Sequence, residues 1–379
     1  MKKVLLGTSA LIAAAAVSAP AMAQERIQLG IGGKMEQYFG VMSLDEDTGE
    51  DRTSTGIDTD VEVYFTGATT LDNGLTVGAV IQLGAEANTA EGAGDADEQY
   101  AYIEGSFGRI MAGEKDGVHA QMAHIAPAVG LGIGDVDDWT GDFSLFARSQ
   151  DGATGGYHNV DTTSSADIPS ITYITPSLAG FSAGVTFQPN RDGARTGDEN
   201  AETTNRWQAA VAYNGEFSGV GIGADIAYVH ADLADGFGAA NPTFEDNDTI
   251  WRGGLVLSYA GFQFGGSYLQ RDYAANTTVL GVRDIEDTVW DLGVAYETGP
   301  YGVSLTYANV ERELDNNAGN TQENEYQQVS LHGSYTMGPG INLVGAAFWA
   351  DAEYDDNNAA TADVDADGTG AIVGLALSF

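Results

Sequence analysis

The chain has 379 residues, 55 of them acidic against 15 basic, with a formal net charge of −40 and no cysteine. Such a charge repels nucleic acid and anionic headgroups and argues against a DNA or RNA partner. Without disulfides, an exported chain of this size must be held by a continuous hydrogen-bonded sheet or a large core.

Export is written into the first 23 residues: Lys2 and Lys3, an apolar run from Val4 to Val17, then Ala21-Met22-Ala23. A short apolar run before an A-x-A site reads as a cleaved secretory signal, which starts the mature chain at Gln24. After it, no run reaches the roughly 20 apolar residues of a membrane helix. Fifty-one glycines weaken helices, whereas 17 tyrosines and many valines favour strands.

Alternation of period two then runs through the chain. Ile27, Leu29, Ile31, Met35 and Phe39 alternate with Gln28, Gly30, Lys34, Glu36 and Tyr38. The same period recurs at 60–65, 75–84, 181–187, 207–213, 222–228, 251–259, 262–268, 290–296, 301–307, 329–335 and 341–349. It ends in 370–379, where Ala371, Val373, Leu375, Leu377 and Phe379 share one face. Period two on this scale predicts sheet.

Connection lengths alternate as well. Short turns are expected at 71–74, 106–108, 176–180, 214–219, 260–261, 298–300 and 337–340. Long polar connections are expected at 41–58, 87–97, 114–168, 189–204, 231–248, 273–285, 313–324 and 354–368. Sixteen strands follow, with tight turns at one end and long loops at the other, the pattern of a bacterial transmembrane barrel. An open sheet edge cannot be satisfied by lipid, so the expected fold is a closed, all-β, 16-stranded antiparallel barrel with a wet interior. Tyr64, Phe181, Tyr213, Tyr259, Tyr296, Tyr301 and Tyr335 are expected in aromatic girdles. A soluble exported sandwich also alternates, but has no reason to alternate its connection lengths.

The third long connection, 114–168, is too long for an idle loop and too apolar for a disordered one, with HIAPAVGLGI at 124–133 and Trp139, Phe143, Leu145 and Phe146. It is expected to fold into the lumen and narrow it, bringing Glu114, Asp116, Asp135, Asp137, Asp138 and Asp142 to a constriction where charge sets ion preference. Lys34, Glu36, Asp60, Glu62, Arg206, Asp225, Arg252, Arg271 and Asp291 are expected on the wall, with Arg109 near the turn end. Acids dominate, which predicts a weak preference for cations, screened by salt beyond ~8 Å.

With these 16 segments, its final Phe379 and the stretch FGRIMAGEKDG (107–117), the chain resembles the Gram-negative general porins. The resemblance implies a homotrimer of 16-stranded barrels among outer-membrane lipids, passing ions and small hydrophilic solutes passively. Such porins often carry basic residues facing the constriction, and here Met111 and Glu114 stand where arginines would be expected.

Motifs for catalysis fail on context. GFSAG (180–184) puts Ser182 on the lumen side of an ordinary strand, not on a strand-to-helix elbow. GLGIG (130–134) and GVGIG (219–223) lack the helix a dinucleotide site requires. The five histidines show no H-E-x-x-H spacing. DVDADG (363–368) opens like a calcium loop, with Asp363, Asp365 and Asp367 at suitable offsets, although Gly374 stands where the late glutamate belongs. No cofactor is required on this reading; calcium is the one candidate. A substrate-selective channel and a secreted calcium-binding structural protein are the alternatives.

Overall fold

The computed structural model describes residues 27–46, 54–85, 96–132, 136, 169–190, 203–233, 247–277, 281–316, 321–356 and 364–379. Their strands are β1 (Gln28–Glu46), β2 (Thr55–Thr70), β3 (Thr76–Gly84), β4 (Ala96–Gly105), β5 (Gly108–Glu114) and β6 (Pro169–Ile174). Next come β7 (Phe181–Asn190), β8 (Thr203–Phe217), β9 (Val220–Leu233), β10 (Asn247–Tyr259) and β11 (Phe262–Thr277). The last are β12 (Gly281–Thr298), β13 (Tyr301–Asn316), β14 (Thr321–Gly338), β15 (Ile341–Asp356) and β16 (Val364–Ser378).

Each strand pairs antiparallel with its neighbours in sequence, and β16 pairs with β1, so the sheet closes into a 16-stranded barrel. The seam runs from Lys34 opposite Ser378 to Glu46 opposite Ala366. Below it, Gly33 and Phe379 exchange both backbone hydrogen bonds, at 2.9 and 3.1 Å. The terminal aromatic is thus the last stitch of the seam, and no edge is left for lipid to meet.

The alternation sorts onto two faces as expected. Ile31, Phe39, Val185, Val211, Trp207, Trp251, Leu255, Leu305, Leu331 and Val373 are exposed on the outside, as an acyl-facing surface requires. Their neighbours point inward. Outward rings pair across strands in two rows. Phe181–Tyr213, Phe262–Tyr296 and Tyr301–Tyr335, with centroids 4.3 to 5.2 Å apart, lie near the short turns. Phe187–Trp207, Tyr228–Trp251 and Trp290–Tyr307, at 4.3 to 4.8 Å, lie nearer the long connections. Tyr64 departs from the expected girdle: its hydroxyl donates to the inward-facing Glu62. Its even position puts it on the face of Lys34's partners, and parity overrides its place along the strand.

One other expectation changes. The segments 273–285 and 313–324 are mostly strand, since β11 runs to Thr277, β12 starts at Gly281, β13 reaches Asn316 and β14 starts at Thr321. About 10 residues cross a bilayer, so strands of 16 to 18 residues continue beyond it, where polar side chains on both faces hide the alternation. The interior also carries apolar side chains. Val229, Ile250, Leu269, Val289, Val310 and Tyr326 form a buried inward band across β9 to β14, with Ile125 packed against it.

Candidate functional site: the inner wall and the segment that lies on it

Beyond β5 the chain turns across the barrel wall. A single helical turn, α1 (Val118–Gln121), starts this path, and residues 118–131 then meet inward side chains of successive strands. Backbone N–H groups of the segment donate to wall side chains: Val118 to Thr186 of β7 (3.1 Å), His124 to Asp225 of β9 (2.6 Å), Ala126 to Asp291 of β12 (2.7 Å), Val129 to Ser304 of β13 (3.1 Å). The His119 ring lies 2.9 Å from Gln208 of β8. Leu131 and Val136 complete the path, buried with Tyr38, Met42, Val344, Phe348 and Ile372 of β1, β15 and β16. The first turn of the segment bonds within itself, through Gly117, Val118 and Ala120 carbonyls. Beyond it, wall carboxylates and a hydroxyl accept the N–H groups, and leaving one such buried donor unpaired would cost about 1–3 kcal/mol.

The wall beneath is a chain of ion pairs. Arg252 of β10 donates to Asp225 at 2.6 Å. Arg206 and Arg271 share Asp248, both at 2.8 Å, and Arg312 makes a forked pair with Asp287 at 2.5 and 2.7 Å. Such two-pronged pairs are the strongest geometry arginine offers.

The remaining inner wall, β1 to β5, is more open. Lys34 lies 2.5 Å from Asp60 and 3.0 Å from Glu62. Arg109 pairs with Glu104 and stands over the Tyr102 ring, 4.9 Å from its centre. Lys115 lies 2.6 Å from Glu98 and stands over Tyr100. Glu36 adds a further carboxylate to this face. Tyr102 lies flat on the wall because position 78 is glycine: a Cβ there would stand 2.4 Å from the ring.

Burial governs the segment's titration. Burial opposes charge on Lys115, but the adjoining Glu98 carboxylate outweighs it and raises its pKa. His119, fully buried, is pushed down to about 4. Burial also opposes protonation of His124, yet hydrogen bonds to Asp225 and Asn214 prevail and raise its pKa.

Of the residues expected at a constriction, Asp135, Asp137, Asp138 and Asp142 lie outside the described residues. Asp116 precedes α1, and its carbonyl accepts from Gln121. Glu114 is a correction: it shares the outward parity of Ile110 and Ala112 and accepts a hydrogen bond from Gln99 at 2.6 Å. Lys34, Glu36, Glu62, Arg109, Arg206 and Arg252 all have inward parity, but Arg206 and Arg252 are buried under the segment's path, not open to solvent. Asp363 is outside the described residues, as is the side chain of Asp365. Asp367 is exposed on β16 opposite Asp45 and Asp351. Among the described residues no three acidic or histidine side chains converge to hold a metal.

Several wall residues escaped the sequence reading. Glu98, Tyr100, Tyr102 and Glu104 sit at period two in DEQYAYIEG, which was signal enough. Asp248 fell on an expected long connection, and nothing local marked Asp287 or Arg312 as inward.

A closed barrel with an apolar exterior and a charged interior, crossed by a segment bonded to its wall, defines a membrane channel. The family described as Gram-negative porin matches residues 10–360, and the chain belongs to it. It is accordingly a non-enzymatic diffusion channel of the Gram-negative outer membrane. No curated protein sequence is significantly similar. Among solved structures, the chain is similar to the anion-selective porin of Comamonas acidovorans, at 17% identity and TM-score 0.59, covering 93% of this chain and 100% of that one. It is also similar to OmpF of Salmonella typhi, in a complex with daunomycin, at 16% identity and TM-score 0.62, covering 93% and 97%. The trimer form of OmpT, an outer membrane protein of Vibrio cholerae, matches at 11% and 0.61, covering 94% and 100%.

Proposed function

We propose that this porin passes ions and small hydrophilic solutes with a weak preference for cations, and that residues 115–132 narrow its lumen. The observation that carries the preference is the pairing on the open wall. Lys34, Arg109 and Lys115 are each held by a carboxylate, and Glu36 together with the second partner of Lys34 leaves that wall net negative. A permeating anion finds no unpaired cation among the described residues of this wall; a permeating cation finds excess carboxylate. The potential acts only over the last few ångströms, because salt screens it beyond ~8 Å. Anion selectivity belongs to the Comamonas protein and is not transferred at this identity. The test is reversal potential in a planar bilayer under a KCl gradient: the cation-selective sign is expected, and the opposite sign refutes the charge reading.

The assembly that suits this outer surface is a homotrimer, with the contact on the sector β2 to β6. Among the described residues, outward ring pairs occur from β7 to β14 and none in that sector. There Gly67, Ala79, Ala101 and Ala112 stand directly opposite one another across β2 to β5, followed by Ile171. Aromatic girdles mark a lipid boundary. A flat row of small residues suits a second barrel wall instead.

A further inference from the structure

We infer that the buried pair Asp225–Arg252 is the positioning clasp that sets where the internal segment stands, and thereby the width of the passage for uncharged as well as charged solutes. The inference rests on the channel reading above and assigns these two residues a role apart from lining the pore. Arg252 was expected as a wall cation facing the solute. It is instead 2% exposed, and the Asp225 side chain is fully buried.

The guanidinium faces two carbonyls of the segment at once. One terminal nitrogen donates to the His119 oxygen at 2.9 Å and to Asp225 at 2.6 Å; the other lies 3.4 Å from the His124 oxygen and 3.5 Å from Asp225. Asp225 in turn accepts the His124 backbone N–H at 2.6 Å, and the His124 ring lies 3.1 Å from the same oxygen. The pair thus grips both ends of the stretch 119–124 through its backbone, which no change of segment side chain would release. Position 254 must be glycine for this approach: a Cβ there would stand 1.7 Å from the His124 carbonyl oxygen. Downstream holds are single bonds, at Asp291 and Ser304. Arg252, planar and forked, bridges a wall carboxylate and two segment carbonyls at once.

The test measures uptake of neutral sugars of increasing size into liposomes, because sugar flux does not respond to the charge the substitution removes. Arg252→Met should raise the flux of the larger sugars at least twofold while the protein keeps its heat-modifiable, folded mobility. Arg252→Lys retains the charge and one bond and should give a smaller rise of the same sign, which also covers the case in which Arg252→Met fails to fold. Reversal of the effect comes from a tether. The chain has no cysteine, and a Cβ at position 293 would stand 3.0 Å from that of Ala126. That is slightly inside the ~3.5–4.5 Å of a disulfide and within reach of a small shift. Ala126→Cys with Gly293→Cys, oxidised in the Arg252→Lys or Arg252→Met background, should restore wild-type flux, and dithiothreitol should abolish the restoration. Wild-type sugar flux in both Arg252 variants, or flux that the oxidised tether leaves elevated, overturns the clasp. A wild-type protein that passes no sugar at all refutes the channel reading instead, so the two failures are distinguishable.

Discussion

At the scale of single residues, two histidines on one short segment titrate in opposite directions. His119 is buried against Gln208 and favours its neutral ring, with a pKa of about 4 in place of ~6.5. A depressed value of this kind means that the stabilisation is complete above ~6.5 and is lost as pH falls through about 4, a swing of about 3 kcal/mol. His124 behaves the other way: its raised pKa reflects Asp225 at 3.1 Å and Asn214 at 3.0 Å, so its contribution is complete at low pH and fades as pH rises through the elevated value. The segment is therefore seated best in mildly acidic to neutral solution and loosens in acid through His119, which also faces Arg252 and Arg206 with Asp248 behind them. Neutral-sugar flux into liposomes should rise as pH falls toward 4. His119→Gln, which keeps a polar group within reach of Gln208 but cannot be protonated there, should flatten that rise; an acid response identical to wild type would remove His119 from the account. A second residue-scale test concerns Asp291, which accepts from the Ala126 and Ser267 backbones at 2.7 and 2.9 Å and from the Ser267 hydroxyl at 2.5 Å. Asp291→Ala removes the acceptor of the buried Ala126 N–H and of the Ser267 hydroxyl and should lower stability by about 1–3 kcal/mol per group, read as a lower denaturant midpoint.

At the scale of elements, the short turns do much to fix register. Ala179-Gly180, Ser218-Gly219 and Ala260-Gly261 all have positive φ at both positions, near 50° and then near 90°. This is the primed turn whose twist matches paired strands, and its first position favours asparagine over alanine. Ala260→Asn should therefore stabilise the β10–β11 hairpin by about 0.5–1 kcal/mol, visible as a higher unfolding temperature or faster refolding in detergent. Such glycine signals, with the alternation between them, made the strand number, the closure and the seven turns legible in the sequence. The same alternation misled where two rules met. Tyr64 looked like a girdle residue by its distance from the strand end, and Glu114 like a loop residue by its neighbours, but a period of two fixes the face regardless. The segment's seating was not legible, because it depends on which wall residues from four strands stand opposite four backbone N–H groups. That is a question of register across residues up to 175 positions apart, and nothing local encodes it.

At the scale of the whole molecule, the barrel is asymmetric in surface chemistry: among the described residues, outward ring pairs run from β7 to β14 and none lies on β2 to β6. The row Gly67, Ala79, Ala101 and Ala112 lies in this ring-free sector, where close approach of two sheets needs small side chains. Overpacking such a contact typically costs 1–3 kcal/mol. Placed at the centre of the row, Ala101→Trp should split the assembly into monomers that still fold, since an indole pointing into acyl chains is tolerated by the single barrel. Ala347→Trp, at an outward position of β15 between Leu331 and Ala371, is the matched control and should leave assembly unchanged. Mild-detergent sedimentation reads both: a shift to one-third of the mass for Ala101→Trp alone places the contact on β2 to β5, and intact trimers from both variants would move it elsewhere on the barrel.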